Sequence, residues 1–154
     1  MPLESTNLFN ALREKFPPEV VKQRPGKGGQ KLDYIAIDAT LNRLNDVLGI
    51  DWSTELLQLE VYPKEAGSWS VVIAIKLTAL GKEAVGVGAG EDNDPDNAVK
   101  TALAEAIKKA GHQFGIGLEL WDEAWREEIA ASRGSVTVNI NSEATGQLRR
   151  SRAR

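Results

Sequence analysis

The sequence predicts an α+β domain: an antiparallel three-stranded meander followed by a long helix, a βββα core, with flanking helices. Residues 69–80, WSVVIAIKLTAL, alternate with the period of a strand, Val71, Ile73, Ile75 and Leu77 interleaving with Val72, Ala74, Lys76 and Thr78. Gly81 then allows a tight turn into 82–88, KEAVGVG, so that the next strand returns antiparallel. Asp94 followed by Pro95 marks a helix start. Val99, Ala102, Leu103, Ala106, Ile107, Ala110 and Phe114 keep helical spacing until Gly115 and Gly117 stop it.

The remaining elements follow in chain order. Leu8, Phe9, Leu12 and Phe16 predict a helix over 4–16, ended by Pro17 and Pro18. Residues 22–31, KQRPGKGGQK, read as a Gly-rich basic loop. A second helix is expected over 38–48, with Ile37, Leu41, Leu44 and Leu48 on one face and Gly49 at its end. A strand over 52–62 completes the meander. After the long helix comes a shorter one over 120–131, and the chain ends in Arg149, Arg150, Arg152 and Arg154. The expected organisation is one domain over 1–131 and a flexible, Arg-rich C-terminal tail over 132–154.

Composition narrows the function classes. A chain of 154 residues with 42% hydrophobic content can bury a real core. It contains no apolar run of membrane-spanning length and no signal-peptide pattern, so no membrane role is expected. Zero Cys excludes disulfides and thiolate metal sites. A cytoplasmic location, in a prokaryotic or phage-infected host cell, is the expectation. The net charge of −3 counts against a nucleic-acid binder, since such proteins are often basic. Binding depends on local potential, however, so the distribution of charge matters more than its sum.

Two stretches concentrate cations. The 22–31 segment carries Lys22, Arg24, Lys27 and Lys31 with no acid, interleaved with Gly26, Gly28 and Gly29, whose bare backbone would let an anion approach; Tyr34 follows and could stack on a base or sugar. A solvated surface loop accounts for the same residues equally well. On the long helix, the face opposite the apolar stripe centres on Thr101, Lys108 and His112. Lys100 and Lys109 flank it and Glu105 interrupts it. By composition alone this is an ordinary exposed helix face. His112, the one His in the chain, cannot build a metal site unaided.

Enzymatic motifs break down. GVGAG at 86–90 lacks the third Gly of a dinucleotide fingerprint, and the basic segment lacks the GK[ST] ending of a P-loop. Asp92, Asp94 and Asp96 imitate a calcium loop, but its sixth position is Asn97 and its twelfth Leu103; a helix cap is the plainer role. No Ser/His/acid or Cys/His set is evident. Trp52 and Trp69 lie at strand starts, as core or sheet-edge residues do. Trp121 and Trp125 lie on an acidic helix that would repel phosphate.

GGQKLDYI at 28–35, then LNRLNDVLG at 41–49 and Trp52, resembles the core of the Rad52 family of single-strand annealing proteins. AVKTALAEAIKKAGHQFGIG at 98–117 resembles that family's second signature, a helix with a basic pair shortly before Phe-Gly. The ending FGIGLELW is similar to the phage, prophage and bacterial versions. The resemblance covers residues 8–121. It implies a βββα domain assembling into a homo-oligomeric ring, whose basic groove holds single-stranded DNA by its backbone with bases outward. Annealing of complementary strands for homologous recombination and DNA repair would then need no ATP and no cofactor, and the protein would not be an enzyme. The nucleic-acid-binding set it implies is Arg24, Lys27, Lys31 and Tyr34 from the basic segment, with Lys100, Lys108, Lys109 and His112 from the helix. His112 stands where the family commonly has Arg, which weakens one phosphate contact near neutral pH, where an imidazole is ordinarily neutral. A single-strand binding protein or a recombinase is a further partner implied, although only the short tail stands in place of the family's long partner-binding region.

Overall fold

The computed structural model describes residues 3–133. They fall into two units, one ending at Leu118 and one starting at Glu119. The first holds helix α1 (Leu3–Leu12), strands β1 (Val21–Pro25) and β2 (Lys31–Ile35), and helix α2 (Ile37–Leu48). It continues with strands β3 (Trp52–Pro63), β4 (Trp69–Ala79) and β5 (Lys82–Asp92) and helix α3 (Pro95–His112). The predicted α+β class and its βββα core are therefore present. Among the described residues no helix is long and apolar enough to cross a membrane.

The meander has strand order β3-β4-β5, antiparallel throughout. Alternation in β4 becomes burial: Val71, Ile73, Ile75 and Leu77 are buried on the face that receives α3. On β5 the same face carries Ala84, Gly86, Gly88 and Gly90, all buried. The three glycines that failed as a nucleotide fingerprint have a packing role. A Cβ on Gly86 would lie 1.9 Å from the Ala106 carbonyl oxygen, one on Gly88 2.1 Å from that of Ala102, and one on Gly90 2.2 Å from that of Ala98. Backbone thus meets backbone along a ridge of Ala98, Ala102, Ala106 and Ala110, all fully buried. The ridge shares Ala102, Ala106 and Ala110 with the predicted stripe, whose Ile107 and Phe114 are buried as well, while Leu103 is left 39% exposed.

The start of α3 uses the acidic run as caps. The Asp94 carboxylate accepts from the Asp96 N–H at 2.9 Å, and that of Asp92 accepts from the Asp94 N–H at 2.9 Å. At the other end the Lys82 ammonium donates to the Gln113 carbonyl at 2.6 Å, and the Gln113 side chain donates to the Val85 carbonyl at 2.6 Å. These contacts pin the last turn of α3 to β5. Phe114 and Ile116 are buried directly after it, and Gly115 and Gly117 adopt φ of +83° and +70°, which lets the chain reverse.

Helix α1 ends at Leu12 rather than Phe16. The Arg43 guanidinium of α2 donates to the carbonyls of Ala11, Leu12 and Glu14 at 3.4, 3.1 and 2.6 Å and lies 4.1 Å from the centre of the Phe16 ring. The terminal carbonyls are thereby satisfied from outside, and Phe16 turns inward without a further helical turn. Trp52 is half-buried and donates its indole N–H to the Asn45 side chain at 3.0 Å, tying β3 to α2.

A 3-10 turn over Leu118–Trp121 begins at the last residue of the first unit, and the second unit continues with a helix over 123–133. The Asp122 carboxylate accepts from the Ala124 N–H at 3.0 Å, which sets the helix start after the residue 120 expected. Trp125 and Ile129, one turn apart, are buried, and Trp121 is 74% exposed. The four arginines of the expected tail lie outside the described residues.

Candidate nucleic-acid interface

The segment expected as a basic loop is a β-hairpin. Strands β1 and β2 pair antiparallel, with Lys22 opposite Tyr34, Arg24 opposite Leu32 and Pro25 opposite Lys31. Its reversal is made by Gly28 and Gly29 at φ of +69° and +77°, and the Gly26 N–H donates to the Gln30 carbonyl at 2.7 Å. The glycines are needed by the turn itself, so they say nothing about an anion.

Pairing sorts the cations by face. Cross-strand partners share a face and neighbours along a strand alternate. Lys22, Arg24, Leu32 and Tyr34 therefore share one face of the hairpin, and Gln23, Lys31 and Asp33 share the other. Gln23 donates to the Asp33 carboxylate at 3.1 Å across that second face. Lys27 sits exposed in the turn.

Tyr34 joins the hairpin to α3. The Arg24 guanidinium lies 5.8 Å from the centre of the half-buried Tyr34 ring, and the Lys108 ammonium lies 6.0 Å from it. Lys108 is further held by Glu105 at 3.3 Å, and its side chain is only 19% exposed. His112, half-buried and one turn beyond Lys108, lies against Gly117, where a Cβ would be 3.9 Å from the imidazole and 3.3 Å from Ile35. Lys109 is exposed on the adjoining side of α3.

Four expected residues are not part of this cluster: Lys27 in the turn, Lys109 on the adjoining side of α3, and Lys100 and Lys31. Lys100 is two helical turns toward the start of α3, about 12 Å from Lys108 along the axis at the usual rise. It pairs with Asp96 at 2.8 Å. The Asp96 carboxylate, by hydrogen bond and by charge, raises the Lys100 pKa above its ordinary value, so the ammonium is firmly charged but already partnered. Lys31 projects from the hairpin face opposite Arg24. Conversely, Lys22 stands directly across from Tyr34 and belongs with the cluster. Strand register, invisible while the segment is read as a loop, is the signal that would have selected it.

Arg24, Tyr34, Lys108, His112 and Lys22 thus come from two stretches far apart in sequence. They bring cations and one aromatic ring together, with the Glu105 carboxylate beside Lys108. Among the described residues no cluster of His, Asp and Glu could hold a metal ion. The profile of the Rad52/22 family double-strand break repair proteins matches residues 4–137. The chain belongs to this family. It is similar to the DNA repair and recombination protein radC of Emericella nidulans, with 27% identity over 84% of this chain and 25% of that protein. Its identity to the DNA repair and recombination protein RAD52 of Saccharomyces cerevisiae is 26%, over 81% of this chain and 30% of that protein. The DNA repair RAD52-like protein 1, mitochondrial, of Arabidopsis thaliana is 28% identical over 75% of this chain and 66% of its own length. The chain therefore spans less than a third of the first two relatives. All three are eukaryotic proteins and do not bear on the phage or bacterial kinship expected from FGIGLELW.

Proposed function

We propose that this chain binds single-stranded DNA by its phosphate backbone and anneals complementary strands without ATP, in recombination and repair. The observation that carries this is the meeting of hairpin and helix at Tyr34, which puts Arg24 and Lys108 within reach of one strand. Membership of the Rad52/22 family and the names of its relatives as DNA repair and recombination proteins support the same conclusion. Backbone contacts give affinity without sequence preference. Bases left facing solvent can test pairing, and duplex formation supplies the free energy. No catalytic group is required, so the activity is one of binding and positioning.

The working unit is a homo-oligomeric ring. Strands β3 and β5 are both edges of the meander. On the face where α3 covers β5 and β4, residues Leu56, Leu59 and Val61 of β3 remain 58%, 47% and 42% exposed. A long edge beside an open apolar stripe needs a cover, and a second copy supplies one. Repetition of the Arg24–Tyr34–Lys108 cluster then lines one groove with cations while the acids of a chain carrying −3 face elsewhere. The test is fluorescence anisotropy of a labelled single strand across a salt titration, with light scattering on the same sample. Salt-sensitive binding by a large oligomer is expected. A monomer, or a chain that leaves the strand unbound at low salt, would overturn the proposal.

A further inference from the structure

The geometry points to Tyr34 as a positioning residue that holds Arg24 and Lys108 as a preformed cation pair, and not as a platform on which a base stacks; this rests on the function proposed above. Tyr34 is half-buried, and each cation lies over its ring, on the surface a stacking base would need. The two cations come from separate elements. Arg24 sits diagonally across the hairpin from Tyr34, and Lys108 reaches in from α3. Lys108 is also held by Glu105 from below on its own helix, one turn earlier, at 3.3 Å. Contact with both a ring and a carboxylate leaves this lysine little rotamer freedom. Its side chain, 19% exposed, differs in this from Lys100, whose pairing with Asp96 leaves 70% exposed.

Free Arg and Lys side chains must give up much rotamer freedom when they bind a phosphate, and prior ordering removes that cost from association. The ring's negative face attracts both cations without neutralising either, unlike a carboxylate. Tyr34 therefore fixes where the two charges stand without itself neutralising either, and the carboxylate beside them is Glu105, at 3.3 Å from Lys108. A strand held this way is recognised as a polyanion with no aromatic contact to its bases. The ligand class is accordingly any extended single strand with regularly spaced phosphates, with its bases left free to pair.

The test is a double-mutant cycle read by anisotropy, using an oligothymidylate and an abasic oligonucleotide of the same length. Tyr34→Phe is expected to bind both as the wild type does. Tyr34→Leu, which keeps apolar bulk, is expected to bind both about tenfold more weakly, the cost of ordering two long side chains on association. That loss should be the same at every salt concentration, because the number of phosphates neutralised is unchanged. In the Arg24→Ala, Lys108→Ala background, Tyr34→Leu is expected to add no further loss. A loss seen only with the base-bearing oligonucleotide would make Tyr34 a stacking platform and overturn the assignment. An additive loss in the double-cation background would overturn it as well, since a general disturbance of the hairpin would persist there. If the wild-type chain bound neither oligonucleotide, the proposed function would fall and this assignment with it, whereas binding with an additive cycle would remove the assignment alone.

Discussion

Replacing Gly88 by Ala tests how α3 is placed. The added Cβ would stand 2.1 Å from the Ala102 carbonyl oxygen, 2.5 Å from the Ala106 nitrogen and 2.8 Å from the Glu105 Cβ. A carbon and a carbonyl oxygen ordinarily approach to about 3.3–3.6 Å. The helix must therefore rise by more than about 1 Å, and because the first two contacts are backbone atoms, no side-chain rotation relieves them. Overpacking costs typically about 1–3 kcal/mol, and a clash between two main chains belongs at the upper end. About 3 kcal/mol lowers Tm by roughly 10 °C in a domain of this size. The functional consequence is separate. Raising α3 carries Lys108 away from Tyr34, so single-strand affinity should fall even well below the melting temperature. Thermal unfolding by circular dichroism, paired with anisotropy at low temperature, reads both effects. Val87→Ala is the control, since Val87 lies on the outer face and is 49% exposed. A Gly88→Ala protein with unchanged Tm and unchanged affinity would refute the close packing and the coupling of β5 to the site.

Further predictions concern charge and assembly. Lys108→Ala with Lys109→Ala should reduce the slope of log affinity against log salt by about 1.4, at about 0.7 per phosphate for a single strand; an unchanged slope in a salt titration would remove both from the interface. Lys100→Ala should change that slope by less than either, because Lys100 lies two helical turns from Lys108 and its 2.8 Å pair with Asp96 is shorter than the 3.3 Å pair of Lys108 with Glu105, and the same titration measures it. Glu105→Gln should tighten single-strand binding by about twofold to fivefold, the scale of a weak ion pair, because this carboxylate offsets part of the Lys108 charge; weaker binding would show that Glu105 serves only to orient Lys108. Leu59→Glu on β3 should reduce the oligomer's mass in light scattering while leaving subunit stability within about 0.5 kcal/mol, as for a half-exposed position.

The meander and its helix were legible because each carries a clean period: alternation in Val71 through Leu77, and spaced apolar residues behind Asp94 and Pro95. The hairpin was not legible as strands. Lys22, Gln23 and Arg24 are short of apolar residues and three glycines interrupt the run, so nothing in the local pattern marks a sheet face. Its pairing is fixed by the turn geometry and by Ile35 and Val21, which are buried at its base. The close packing of α3 was spread over two motifs, Gly86, Gly88 and Gly90 at strand period and Ala98, Ala102, Ala106 and Ala110 at helical period. Each looks unremarkable without the other. For the site, the two basic stretches could be found, but not their division into faces. That division depends on register, which places Lys31 away from Arg24, and on the Asp96 pairing, which occupies Lys100. FGIG, read as part of a family signature, proves to be the reversal that buries Phe114 and Ile116 and sets Gly117 against His112.

The most direct test of the central claim is annealing of two complementary oligonucleotides, one labelled with a donor and one with an acceptor fluorophore, followed without ATP. The wild-type chain should accelerate duplex formation well above the spontaneous rate. The Arg24→Ala, Lys108→Ala protein, folded and of the same oligomeric size, should return it close to that rate. Annealing no faster than in the absence of protein, or equally fast with the double variant, would contradict the account.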